Sequence, residues 1–249
     1  MVNGKRVAVV LPAFNAAQTL EATYREIPHD VVDELLLVDD HSRDDTPALA
    51  QALHIETYLH PSNQGYGANQ KTCYRQVLRK PVDIVVMLHP DYQYTPKLLR
   101  AMCAMIAEDV YDVVIGSRIL AGGALSGGMP FYKYVSNRFL TLLENLLLGA
   151  KLSEYHTGYR AYRREVLEKI PFDRFSNDFI FDNQFLIEVI QQGWRIGELS
   201  CPTKYFEAAS SINFGRSVRY GLLCLWYALL ASFRLLPRRL ARLFGRKNT

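Results

Sequence analysis

The stretch VVMLHPDYQYTP, residues 85–96, runs from an apolar segment into a polar cluster with one acid, Asp91, and then reaches Thr95-Pro96, a pair that opens helices. A buried strand leading straight into a helix is half of a βαβ unit. Working outward, RVAVVLP, ELLLVDD, HIETYLH and DVVIGSR are similar β-rich runs, separated by helix-like segments near residues 16–25, 47–53, 68–78 and 96–107. This alternation predicts a mainly parallel sheet buried on both faces. Thr46-Pro47 repeats the helix-opening pair, and Asp44 and Asp45 read as capping residues beside it. In such sheets ligands bind outside the carboxyl ends of the strands, which is where Asp91 falls.

The chain has 249 residues, 49% of them hydrophobic, enough for one large domain with an appendage. The formal charge of +4 is concentrated at the end, where Arg234, Arg238, Arg239, Arg242, Arg246 and Lys247 occur with no acid. The expected division is a catalytic domain over residues 1–210 and membrane-associating helices over 211–249, with no nucleic acid among the partners. Four scattered cysteines show neither metal-ligand spacing nor disulfide density, which fits a reducing cytoplasm. The basic, apolar opening MVNGKRVAVVLPAFN is too short before Pro12 for a signal peptide and reads as the first strand. Beyond Arg118, ILAGGALSGGMP is a Gly-rich loop long enough to serve as a lid, and FYKYVSNRFLTLLENLLLG suits a mostly buried helix stopped by Gly149.

The strand ends carry PAFN, VDDHS, HPDYQ and GSR, an unusual density of acids and arginine for loops that only connect. Together with NQGYGAN and TGYRA, this ordered set resembles the family 2 glycosyltransferases of GT-A fold, and within them the dolichyl- and polyprenyl-phosphate sugar synthases, over roughly residues 6–206. The resemblance implies a Rossmann-like α/β sheet flanked by helices and a nucleoside-diphosphate sugar as donor. It places Pro12 and Phe14 around the base pocket, Asn15 among the nucleotide-sugar-binding residues, and Asp39 and Asp40 on base and ribose, groups a carboxylate can bind by accepting hydrogen bonds; the alternative is a plain turn at Asp40 and Ser42. Gly65 and Gly67 would let backbone approach the donor, or simply turn the chain into a helix. Thr157, Gly158 and Arg160 fall near the donor sugar or phosphates.

Such enzymes commonly carry a metal-binding DxD, extended to DxDxQ in the lipid-phosphate synthases. Here Asp91 and Gln93 are retained and His89 replaces the first acid. Because Mg²⁺ takes only one or two ligands from protein beside phosphates and waters, Asp91 and Gln93 suffice for Mg²⁺ or Mn²⁺. His89 can ligate, contact a phosphate or pack as a neutral strand-end residue. Arg118 and Arg138 match arginines that approach the acceptor phosphate. Asp182 serves as base, donor-sugar support or helix cap. Asp91, Arg118 and Asp182 are thus the expected catalytic residues.

The expected reaction is metal-dependent, inverting transfer to a polyprenyl phosphate, an acceptor already anionic and needing no strong base. A saccharide hydroxyl is the alternative acceptor and would need Asp182; a silent nucleotide-sugar-binding protein is a third reading, motivated by His89. Ala16, His89 and the YFEAASSINF loop depart from the resemblance. The charge-free run of residues 220–233 is shorter than a bilayer span. From Pro237 a second helix is expected, with Leu236, Leu240, Leu243 and Phe244 on one face and Arg234, Arg238 and Arg242 on another, suited to the cytoplasmic face of a membrane without crossing it. A core-packing helix with a solvated basic tail, or a homo-oligomer contact, is the alternative.

Overall fold

The computed structural model describes residues 1–205 and 214–244, with side chains described over 215–237 in the last segment. In chain order the elements are β1 (Val7–Ala13), α1 (Leu20–Glu26), β2 (Glu34–Asp39), α2 (Thr46–Ala52), β3 (Glu56–Leu59), α3 (Tyr66–Val77), β4 (Ile84–Met87), α4 (Leu99–Ala107), β5 (Val113–Ser117), α5 (Phe131–Leu148), β6 (Arg160–Arg163), α6 (Arg164–Lys169), α7 (Phe181–Gln192), β7 (Ile196–Ser200) and α8 (Phe214–Phe244). They build a seven-stranded sheet in the order β3-β2-β1-β4-β6-β5-β7. All pairings are parallel except those of β6, which runs antiparallel to both β4 and β5.

All seven residues of β1 are buried, and alternate side chains enter opposite layers: Val7, Val9 and Leu11 on one side, Ala8 and Val10 on the other. Burial on both faces is why the strand reads as a continuous apolar run rather than an alternating one. All five expected strands form. The sixth, RAYR, carries two arginines and no apolar run, so it gives no periodic signal; its place is set by pairing with β4 and β5.

Local chemistry differs from expectation in three places. Asp45, not Thr46, occupies the N-cap of α2, without a side-chain cap bond. The Thr46 hydroxyl instead donates to Asp44 at 2.5 Å and accepts from the Ala16 N–H at 2.8 Å, so the pair ties two loops together. Helix α5 ends at Gly149, whose φ of 64° is left-handed. Far from being mostly buried, α5 covers Asn137, Thr141, Glu144 and Leu148 and exposes Phe131, Val135, Phe139, Leu142 and Leu146. The Gly-rich loop packs on its own small core of Ile119, Ala124 and Met129.

The tail is one helix, with Pro237 inside it rather than starting a second. Its buried residues, Gly221, Cys224, Ala228, Ala231 and Leu235, recur at steps of three and four and pack beside α5 and α7. Gly215–Pro237, 23 residues, is by length and composition long and apolar enough to cross a membrane, and it contains the charge-free run of residues 220–233 between Arg219 and Arg234. The side chains of Arg238, Arg239, Leu240, Arg242, Leu243 and Phe244, and the residues Arg246 and Lys247, lie outside the described residues, as does most of the YFEAASSINF loop.

Candidate active site

The carboxyl ends of β1, β2 and β4 open into a cavity of about 1040 Å³ that continues past Gly158 to α5 and α8. At one end are Pro12, Phe14, Asn15, Asp40 and Gly65; in the middle His89, Asp91, Gln93, Gly158 and Asp182; at the other Arg118, Lys133, Phe139, Leu222 and Leu225. Ten of these positions, from seven separate segments, were expected site residues, and the packing of the sheet and its helices brings them together.

The first loop is held by its neighbour. Asn15 adopts φ 51°, a left-handed conformation Asn tolerates, donates its N–H to the Ser42 hydroxyl at 2.8 Å and accepts the Arg43 N–H at 2.9 Å. Asp39 spends its carboxylate on the Ser42 N–H and hydroxyl and does not line the cavity. Asp40 accepts from His60 Nδ1 at 2.7 Å, the Gln64 N–H at 2.8 Å and the Gly65 N–H at 2.9 Å. It therefore buttresses the Gly65 loop, and His60, fixed behind it by Thr72, is a site-shaping residue that no motif marked. The space that Gly65 and Gly67 leave is filled by protein: an added Cβ would sit 2.7 Å from the Asn177 carbonyl oxygen at Gly65 and 2.5 Å from that of Ser176 at Gly67. Gly67 is outside the cavity wall.

Beyond β4, the Asp91 Oδ1 accepts the Gln93 N–H at 3.1 Å, which turns the loop at Tyr92 (φ 56°). Its other oxygen takes no hydrogen bond from the described residues. No group of three or more His, Cys, Asp or Glu among the described residues could cage a metal alone. The donor set therefore fits a hard cation shared with a diphosphate, one carboxylate coming from the protein and the other oxygens from phosphates and water.

His89 lies against Tyr66, rings 5.3 Å apart and within 11° of parallel. The Tyr66 hydroxyl meets His89 Nε2 at 3.0 Å and donates to Asp182 Oδ2 at 2.5 Å, while Asp182 Oδ1 accepts from Gln70 Nε2 at 3.1 Å. Burial, and then the Asp182 charge, push the Tyr66 phenol well above its ordinary pKa. Tyr66 and Gln70 escaped sequence reasoning because on the linear chain they read as the first turns of an ordinary helix.

Thr157 and Arg160 stand outside the cavity wall. Thr157 donates to the Gly116 carbonyl at 2.7 Å, and the fully buried Arg160 spends its guanidinium on the carbonyls of Thr157, Tyr155 and Asp182. These residues shape the loop; only Gly158 of the three faces the cavity. Arg138 is exposed, bonds the Ser153 carbonyl at 2.8 Å and is likewise outside the wall, whereas Lys133, one turn earlier, lines it. Burial, with Arg118 nearby, lowers the Lys133 pKa.

Arg118 is less free than an acceptor clamp would be. It is ion-paired with the fully buried Glu154 and also donates to Tyr205 at 2.9 Å and to the His156 carbonyl at 2.7 Å. Burial would raise the Glu154 pKa, but the Arg118 charge and hydrogen bonds prevail and hold it below its ordinary value. Beneath lies a second polar cluster. Burial pushes Glu144 up to about 7 and His156 down to about 4, so desolvation disfavours the charged form of both groups across the 3.4 Å between them. His156 Nδ1 meets the Tyr220 hydroxyl of α8 at 3.0 Å.

Residues 8–171 match the model of the glycosyl transferase family 2. The chain is 27% identical over 223 residues to the polyprenol monophosphomannose synthase of Mycolicibacterium smegmatis, covering 86% of this chain and 83% of that protein. It is 28% identical over 242 residues to the undecaprenyl-phosphate mannosyltransferase of Micrococcus luteus, covering 91% and 98%. Among solved structures, glucosyl-3-phosphoglycerate synthase from Mycobacterium tuberculosis in complex with uridine diphosphate superposes with a TM-score of 0.72 at 20% identity, over 92% of this chain and 80% of that one, a likeness of fold.

Proposed function

Since the chain belongs to glycosyl transferase family 2, we propose that it transfers a sugar from a nucleoside-diphosphate donor to a polyprenyl phosphate at a membrane surface, with inversion and with a divalent cation. The observation that carries this reading is the continuity of the cavity, which begins among the polar strand-end loops and finishes between the apolar side chains of α5 and α8. A donor lies at the first end and a phosphate with a hydrocarbon tail at the second. The names of the relatives from Mycolicibacterium smegmatis and Micrococcus luteus support the acceptor class.

An acceptor phosphate oxygen attacks the anomeric carbon as the bond to the diphosphate breaks, and the electron pair leaves with the nucleoside diphosphate. Asp91, with Gln93 beside it, would hold Mg²⁺ or Mn²⁺, which offsets negative charge on the leaving group. Lys133 and the outward edge of Arg118 attract the acceptor phosphate. Both oxygens of Asp182 already accept hydrogen bonds, which favours an acceptor that needs no base over a saccharide hydroxyl.

Membrane contact is through α5 and α8 together. Their outward residues include Phe131, Phe139 and Leu146 on α5 and Leu222, Trp226 and Phe233 on α8, an apolar surface larger than scattered exposed residues make. A helix packed against the catalytic domain from Gly221 to Leu235 lies along it, so α8 sits in the interface rather than crossing. The test is to incubate purified protein with a panel of nucleotide sugars, Mg²⁺ or Mn²⁺ and a short polyprenyl phosphate, and to weigh the lipid product. A glycosylated polyprenyl phosphate is expected. Transfer only to a saccharide hydroxyl would replace the acceptor, and no transfer to any acceptor would leave a binding protein.

A further inference from the structure

We propose that His89 supplies, through Nδ1, the metal ligand that the missing first acid would have given, and that Tyr66 and Asp182 are positioning residues that hold its ring in the tautomer this requires. The proposal rests on the metal-dependent reading above.

The direction of the hydrogen bonds decides the tautomer. A tyrosine hydroxyl has one proton, and that of Tyr66 goes to Asp182 Oδ2 at 2.5 Å. Its oxygen can then only accept at the second contact, so the proton in the 3.0 Å bond comes from His89 Nε2. In a neutral imidazole with Nε2 protonated, the lone pair is on Nδ1, and Nδ1 has no hydrogen-bond partner among the described residues.

The ring is held as well as protonated. Tyr66 stacks on His89 and is itself stacked on Phe179 at 4.7 Å, so the imidazole plane is fixed. Gly158 borders the same edge of the ring: an added Cβ there would lie 2.6 Å from Nε2, 2.7 Å from Cδ2 and 3.3 Å from the Tyr66 hydroxyl. The absence of a side chain there makes room for an imidazole two residues before Asp91, in the wall of the same cavity. A carboxylate that acts on the far nitrogen of a histidine is the usual support for a metal-ligating ring, here relayed through a phenol. One carboxylate, one imidazole and a diphosphate make a mixed nitrogen and oxygen set, which favours Mn²⁺ over the harder Mg²⁺.

This account also gives Asp182 a task other than proton abstraction. Its two oxygens are divided between Tyr66, which carries the orientation to His89, and Gln70, which holds the carboxylate in place.

The full chain, loaded with Mn²⁺ and either uridine or guanosine diphosphate, tests this by pulsed electron paramagnetic resonance. The expected signal is a directly coordinated nitrogen whose modulation changes when histidine is labelled with ¹⁵N and vanishes in His89→Asp, a variant that still binds Mn²⁺. Tyr66→Phe, which leaves the ring stack but removes the relay, should weaken Mn²⁺ binding by about 10- to 100-fold. Mn²⁺ bound with no histidine nitrogen would overturn the role of His89 and leave metal dependence standing. Failure of the wild-type protein to bind Mn²⁺ beside either nucleotide would remove both. Unchanged affinity in Tyr66→Phe would take the positioning role from Tyr66 and Asp182.

Discussion

The sheet and helix α5 bury opposite kinds of residue. In β1 every side chain is buried and nearly every one is apolar, so the apolar residues serve the protein's own core. In α5 the inward stripe is Asn137, Thr141 and Glu144, which meet buried Glu154, Asn183 and His156, while phenylalanines and leucines face outward. Apolar density in a sequence therefore does not by itself mark burial within the fold. The inner polar stripe is tolerated because Asn137 donates to Glu154 and Asn183 to Glu144, which offsets part of the cost of burying these groups.

The largest way to break this comparison is a charge on each side of it. Val9→Asp puts an unpaired carboxylate into a site with no exposed surface and should abolish folding, a loss above about 4 kcal/mol, whereas Leu146→Asp, at a site 66% exposed, should shift stability by less than about 0.5 kcal/mol. Denaturant melts of both variants check this. Comparable destabilisation by Leu146→Asp would mean that the outer face is packed on protein.

Next in size is the polar interior behind α5. Arg118→Ala leaves Glu154 buried without its cation and should cost about 3–5 kcal/mol. Adding Glu154→Gln should restore part of that stability, as a double-mutant cycle will measure. A fully stable Arg118→Ala protein with lost acceptor use would return Arg118 to the acceptor clamp alone.

The pH dependence sharpens the same interior. The folded pKa of Glu144 is raised to about 7, so its contribution is present below its ordinary value and lost as pH rises through 7. His156 is lowered to about 4, so its contribution is present above its ordinary value and lost as pH falls toward 4. Each amounts to roughly 3 kcal/mol, and over the shared range the two slopes oppose and nearly cancel. Glu144→Gln removes one of them. Its stability should climb from pH 4 to 6.5 where the wild type is nearly flat, a comparison that urea titrations at several pH values can make.

The smallest effect concerns the outer face. Phe139→Asp with Leu222→Asp should leave the melting temperature nearly unchanged, yet weaken binding to vesicles containing anionic lipid by at least about tenfold, since each side chain is worth roughly 1.5–3 kcal/mol when removed from water. Blue-shifted emission of the exposed Trp226 on wild-type binding, absent in the double variant, reads the same contact directly.

Legibility followed the same division. The five parallel strands and the loops after them were readable because strands buried on both faces need continuous apolar runs, and the polar residues at their ends then stand out. That carried Pro12, Asp40, Asp91 and Arg118 to one cavity. β6 was not readable, because its arginines are placed by partners distant in sequence, and neither was the turning inside-out of α5, whose composition alone cannot tell a buried apolar stripe from an exposed one. Pro237 was misread as a helix start because a proline kink and a boundary look alike on the linear chain.

The α/β class, the family and the loops that line the candidate site could be read along the chain, since they follow from local periodicity and from motifs within single segments. Which of those residues face the cavity depends on how the layers pack. Arg160 and Arg138, as motif residues, looked as available as Arg118, but carbonyls close to them in space claim their guanidinium groups, while Lys133 is left in the wall. His60, Tyr66 and Gln70 gain their roles through hydrogen bonds to Asp40, His89 and Asp182, 20 to 112 residues away. Hydrogen-bond partners across such separations depend on distances and directions that exist only once the layers have packed.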